Sequence, residues 1–291
     1  MKEQIVLPLR HVSLLRRRIR TLSELHELML SGKNGETIHD LRVSSRRMRE
    51  VLDALKTCLP EEWYARLKKR TKSLTVELGR LRETEVNLKI LESISEKGVA
   101  HPAILEILKH SLSGNLVKRR KRVQKKFSRK KLQSYHSFLK LLHGSRSATA
   151  SDSSLMQIRM DNFVSFTWHV DLNDEQLHTL RNRTKKLRYA LEIEQSFHSR
   201  RFGRFLRRIK NLQDLLGQLN DLYVFSQFVE AQLQVWKSND LTVVPSGLQQ
   251  ILEILQKERH VLYPKVYPRY ADIVASAPRE ISLVPPALIP A

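Results

Sequence analysis

The side chains with chemistry to offer are cations set at helical spacing. His39, Arg42, Arg46, Arg47 and Arg49 stand in Ile38–Arg49, and His178, Arg181, Lys185, Lys186 and Arg188 recur in Leu177–Tyr189 at one constant offset. Apolar partners repeat with them, Leu41 with Leu180 and Met48 with Leu187. A recurrence at fixed offset marks two copies of one structural unit. At about 100° per residue, Ile38, Leu41, Met48, Leu52 and Leu55 form an apolar stripe, and His39, Arg42, Arg46 and Arg49 form an arc opposite it. Like charges on successive turns repel, so the arc calls for an anion. Arginine offers a planar fork of donors that stays charged; lysine offers a point charge. Asp53, one turn beyond Arg49, is placed to pair with it, and Glu192 holds the same position after Arg188. His39 and His178 open their helices beside the arginines, which favours the neutral imidazole, a donor to an anion. Packing or capping is the alternative role for both.

Composition points the same way. The 291 residues include 52 Lys+Arg against 30 Asp+Glu, a formal net charge of +22. That self-repulsion costs stability, so a polyanionic partner is the natural explanation. Hydrophobic content of 41% suffices for packed cores, while 7% aromatics and 9 glycines argue against a many-stranded β fold. The single cysteine, Cys58, excludes an internal disulfide framework and a multi-cysteine zinc site. The N-terminal apolar run is too short for a signal peptide, and no run is long enough to span a bilayer. The expectation is a cytoplasmic protein without a membrane partner.

Enzyme signatures are incomplete. His39-Asp40 starts a metal-phosphohydrolase doublet, but its repeat reads His178-Thr179; His26-Glu27 starts a zincin-like pattern, but position 30 is Leu. No Glu-x-x-His pair supports a di-iron bundle. No catalytic residue, metal or cofactor is expected, and the chain reads as a binder.

The elements that must position these residues are helices. Leu9, Val12, Leu15, Ile19, Leu22, Leu25 and Met29 predict a helix over about 9–31, ended by the turn at Gly32–Gly35. The first motif helix follows over about 36–57, stopped by Pro60, then a long helix over 61–97. Gly98 and Pro102 separate it from a helix over about 102–143. Gly144–Ser154 is small and polar, a linker. The second half is expected to hold helices near 155–169, 173–197 (N-capped by Asn173), 199–238 and 247–270, the last frayed by Pro264 and Pro268. Residues 276–291 are expected to be an extended tail.

The repeat runs past the motif helices. With a one-residue deletion, Arg66, Lys69, Arg70 and Lys72 align with Arg204, Arg207, Arg208 and Lys210, and LGRLRETEV (78–86) with LGQLNDLYV (216–224). Arg66, Lys69, Arg70 and Lys72 with their four matches are expected to form a second wall of a groove. In the basic run Lys118–Lys131, Arg119 and Arg122 are the candidates to line it. The simplest architecture is all-α: two antiparallel four-helix bundles with long helices, related by a pseudo-two-fold axis.

These features resemble the CHAD family, an α-helical domain marked by H-x-x-R-x-x-x-[RK]-[RK]-x-R in each half, followed by an LGxxxD/E-like segment. Both helix motifs are complete, at 39–49 and 178–188. An Arg-Asp-x-Asp-like element reads Arg82-Glu83-Thr84-Glu85 in the first half and is reduced to Asn220-Asp221 in the second. The resemblance implies one domain over 5–275, built of repeats at about 5–143 and 155–275. It also implies a basic groove that binds inorganic polyphosphate. With the incomplete enzyme signatures and the cytoplasmic expectation above, the protein is expected to bind it without turning it over, with polyphosphate granules as one setting. Such a ligand has no bases to stack or read, so dense cations on a rigid frame with little aromatic surface suit it. Arg42, Arg46 and Arg49 are then expected to face Arg181, Lys185 and Arg188 across one cavity. The charge also admits a nucleic-acid-binding helical protein, although aromatics for stacking are few, and, less favoured, a polyphosphate phosphohydrolase. Protein partners are not legible.

Overall fold

A computed structural model describes residues 9–31, 35–56, 59–126, 135–138, 140, 153–169, 171–197, 202–237 and 243–282. Positions 32–34 of the expected turn, 144–152 of the linker and 127–131 of the basic run lie outside them. The fold is all-α. Helix α1 covers Leu9–Leu30, α2 Gly35–Ala54, α3 Glu61–Glu96 and α4 Pro102–Lys126, and residues 135–138 are again helical. In the second half α5 covers Ser153–Val164, α6 Asp174–Phe197, α7 Gly203–Lys237 and α8 Val243–Leu262. A 3-10 turn, Tyr263–Lys265, leads into α9, Val266–Ser282.

Local chemistry explains the boundaries. Asn173 caps α6 as half of a reciprocal box: its Oδ1 accepts from the Gln176 backbone at 2.9 Å, and its own N–H donates to Gln176 Oε1 at 2.9 Å. Two otherwise orphaned donors are thereby satisfied. Gly98 ends α3 at φ 63, a left-handed conformation that costs glycine nothing. The prolines expected to fray the last helix act otherwise. Pro264 sits in the 3-10 turn, and Pro268 falls in the first turn of α9, where its missing N–H would have had no helical partner. The helix therefore continues to Ser282, into the segment expected to be an extended tail; 283–291 lie outside the described residues.

Packing gives each half its own core. Leu15, Ile19, Leu22, Ile38, Leu41, Met48 and Leu52 meet Leu67–Leu81 of α3, with Val123 and Phe138 closing the first unit. A hydrogen bond of 2.8 Å between Thr71 and Tyr135 ties residues 135–138 onto α3. Met160, Phe163, Leu180, Leu187 and Leu191 meet Phe205–Leu219 of α7, with Val266, Tyr270 and Ile273 of α9 closing the second. The far ends of the long helices do something else. Leu91 and Ile94 of α3, Ile104–Leu112 of α4, Leu222–Leu233 of α7 and Leu248–Leu255 of α8 form a third core shared by both halves. Helices approach closely there: a Cβ on Gly247 would stand 2.6 Å from Ile104 Cγ1, so a larger residue would require the Ile104 side chain to shift.

Among the described residues no helix is long and apolar enough to cross a membrane.

Candidate functional site: a cationic cleft between the motif helices

The apolar stripes of α2 and α6 are buried in their own bundles, with Leu41, Met48, Leu180 and Leu187 fully enclosed. Their basic arcs are thereby turned outward from each core, and they meet. One cleft of roughly 1020 Å³ is lined by α2, the first turns of α6 and its basic arc, and the middle of α3 and α7. It gathers His39, Arg42, Arg46, Arg47, His178, Arg181, Lys185, Arg188 and Lys210. The floor includes Gly79 and Gly217, matched glycines of the LG segments. A Cβ at either would meet no atom within 4 Å, so these positions leave the floor open.

The lining holds nine Lys/Arg against six Asp/Glu, and burial makes the excess costly. Desolvation, and then the neighbouring Arg46, pulls the Arg42 guanidinium down to about 10. Its repeat partner Arg181 is lowered by burial against the pull of Asp221. Lys185 suffers most, lowered to about 6 by desolvation and by Arg181, Arg46 and Arg42. His39 is held below its ordinary value by burial, Arg42 and Arg82. The Nε atoms of both Arg42 and Arg181 are buried with no hydrogen-bond partner among the described residues. Donors of this kind in a low-dielectric site are expensive unless an acceptor arrives.

Carboxylates restrain several of these cations. Glu192 accepts from Arg47 Nε at 2.7 Å and Nη2 at 3.2 Å, and from Arg188 Nε at 3.0 Å. Burial raises its pKa, but the Arg47 hydrogen bond and the two guanidinium charges outweigh that and leave it below the usual range. Asp221 is pushed up by burial although Arg181, Arg42 and Arg82 favour its charged form. Asp174 pairs with Arg259, whose guanidinium lies 5.4 Å from the centre of the Tyr223 ring. Among the described residues no group of three or more His, Cys, Asp or Glu is placed to hold a metal ion.

Several expected members lie elsewhere. Arg49 is not in the lining. Its expected partner Asp53 is occupied by Lys68, by the Tyr64 hydroxyl at 3.0 Å and by Arg159 at 3.9 Å. Arg188, the repeat of Arg49, does have its expected Glu192. Lys186 is exposed, on the side of Glu50. Arg66, Lys69, Arg70 and Lys72 sit on the first turns of α3, at 1.5 Å per residue roughly 10–20 Å short of Gly79, and do not line the cleft. Arg66 instead pairs with Glu62 and covers Trp63. Arg204, Arg207 and Arg208 are likewise outside, Arg208 lying 3.6 Å from Asp272; only Lys210 of that set reaches it. Arg119 donates to the Arg80 carbonyl and to Thr84 Oγ1, and Arg122 lies 3.6 Å from Glu77. Both fasten α4 to α3.

The cleft also holds residues beyond those expected: Arg82, Asn220, Gln213 and Arg259. Arg82 and Asn220 occupy matched positions in the LG segments, so the repeat itself carried their signal. Arg259 lies on α8, outside the matched stretches, and no periodicity pointed to it.

Comparison with known proteins agrees with the all-α fold. The CHAD domain profile matches residues 13–230. Among solved structures, PptA from Streptomyces chartreusis superposes with a TM-score of 0.71 at 13% identity, covering 90% of this chain and 98% of that one. The CHAD domain from the plant Ricinus communis superposes with a TM-score of 0.62 at 20% identity, covering 97% and 94%. At these identities the likeness is one of fold. No curated protein matches the chain.

Proposed function

Since the chain belongs to the CHAD domain family, we propose that it binds inorganic polyphosphate in the cleft between α2 and α6, as a binder and not a catalyst. The observation that carries this reading is the meeting of the two motif arcs. Arg42, Arg46, Arg181, Lys185 and Arg188 come from distant parts of the chain to one buried place. Their mutual repulsion is offset when an anion enters. A linear chain of phosphates would offer oxygens to both walls at once, to the guanidinium groups of Arg42 and Arg181 among them. Each contact is modest, and their sum falls with salt as counterions are released.

The test is retention of long-chain polyphosphate by the whole protein and by a variant carrying Arg42→Glu, Arg46→Glu, Arg181→Glu and Lys185→Glu. The variant is expected to keep its helical circular dichroism and lose binding. Undiminished binding by the folded variant overturns the site. Competition by duplex DNA at equal phosphate concentration separates this reading from nucleic-acid binding, since a DNA binder would release polyphosphate.

A further inference from the structure

Glu192 stands in an unusual place for a partner of cleft arginines. Arg47 and Arg188 both line the cleft, yet Glu192, which holds them at 2.7 and 3.0 Å, does not. Only 13% of its side chain is exposed. Arg18 of α1 is likewise outside the cleft lining, yet close enough for Arg47 and Glu192 to act on its charge. The Arg18 Nε is buried without a hydrogen-bond partner among the described residues, and Arg17 beside it is exposed. The cations therefore do not end where the cleft ends. They run on from Arg47 and Arg188 to Arg18, with one carboxylate set among them. The other half has no such device, for Asp53, at the repeat position of Glu192, is taken up by Lys68 and Tyr64.

We propose that Glu192 is the stop of the anion track: its carboxylate takes the donors of Arg47 and Arg188 that the next phosphate would use, and so keeps the ligand from reaching Arg18. This rests on the polyphosphate reading above. A carboxylate and a phosphate oxygen compete for the same guanidinium fork, and a carboxylate already held by two arginines would repel an arriving phosphate. The residue thus limits how many phosphates the protein engages, and it does so at one end only.

A mere strut predicts the reverse of a stop. If Glu192 only positions Arg47 and Arg188, Glu192→Gln weakens all binding. If it is a stop, Glu192→Gln leaves tripolyphosphate affinity within about twofold and raises long-chain affinity by about fivefold or more, with a salt slope steeper by about one. Adding Arg18→Ala to Glu192→Gln should cancel the gain. A long-chain affinity unchanged or lowered in folded Glu192→Gln overturns the stop. A second arm is independent of whether that variant folds. Arg18→Ala in the otherwise unaltered chain should keep long-chain affinity within about twofold, and a loss of about fivefold means the ligand already passes Glu192. Wild-type protein that retains neither tripolyphosphate nor long-chain polyphosphate overturns the function proposed for the cleft itself, which the other outcomes leave standing.

Discussion

Arg42 and Arg181 hold the same position in two copies of one motif, line the same cleft, and share the same unmet need, a buried Nε without an acceptor among the described residues. Two such cations in one buried site cost the empty protein stability. Replacing both with methionine keeps their volume and removes the charge, an exchange that is often neutral or stabilising. The double variant is expected to melt as though about 1 kcal/mol more stable in the absence of ligand. Each lost charge-assisted donor should cost about tenfold in polyphosphate affinity. Thermal melts with and without ligand check both signs.

Lys185 sets a pH dependence. Its folded value of about 6 lies far below its ordinary value of 10.5. Between those two values the unfolded chain binds more protons than the folded one, so this residue makes stability of the empty protein rise with pH. A phosphate chain beside Lys185 restores the charged form, so binding near pH 7–8 takes up a proton and affinity falls as pH rises. Calorimetry in two buffers of different ionisation enthalpy measures the uptake. Lys185→Arg, which stays charged throughout, should abolish the Lys185 contribution while keeping binding.

The glycines of the floor separate helix stability from cleft volume. Gly79 and Gly217 lie inside long helices with open space above them. Alanine at either is expected to raise stability by about 1 kcal/mol through helix propensity, with little change in binding. Gly217→Leu should keep most of that gain and narrow the cleft, lowering affinity for polyphosphate. Chemical denaturation paired with ligand titration distinguishes the two.

Arg119 is a fastener, so its loss should appear in stability and not in binding. Its hydrogen bonds to the Arg80 carbonyl and Thr84 join α4 to α3. Arg119→Ala is expected to cost about 1–2 kcal/mol in urea unfolding and to leave polyphosphate affinity within about twofold.

Sequence periodicity carried the helices and the main walls of the site, and it stopped where partners had to be known. The stripe of Ile38, Leu41, Met48 and Leu52 fixed which way Arg42 and Arg46 point, because burying one face of a helix exposes the other. The same reasoning could not see that Lys68 and Tyr64 would take Asp53 from Arg49. Nor could it see Glu77 and Glu85 on α3 waiting for the basic run of α4, where Arg122 and Arg120 each come within 3.6 Å of a carboxylate. Azimuth on a helix is local; the counter-charge is tertiary. Height along the helix was the other blind spot, which is why Arg66–Lys72 share a helix with the cleft floor yet stand away from it. Pro268 shows the converse, a local signal whose meaning depended on falling in a first turn.

The shared third core has a bearing on what the cleft can discriminate. α3 and α7 carry the floor at their middles and lock together, through Leu91, Ile94, Phe225 and Val229, at their ends. The walls are thus two arms clamped by a common vice. Spreading them would open a packed seam where Gly247 already lies against Ile104, and close-packed interiors yield little. The spacing of the two floor helices is therefore set by a packed core. On the polyphosphate reading proposed above, a flexible phosphate chain would bend to suit that spacing, while a stiff, wide polyanion would meet floor helices held by close packing.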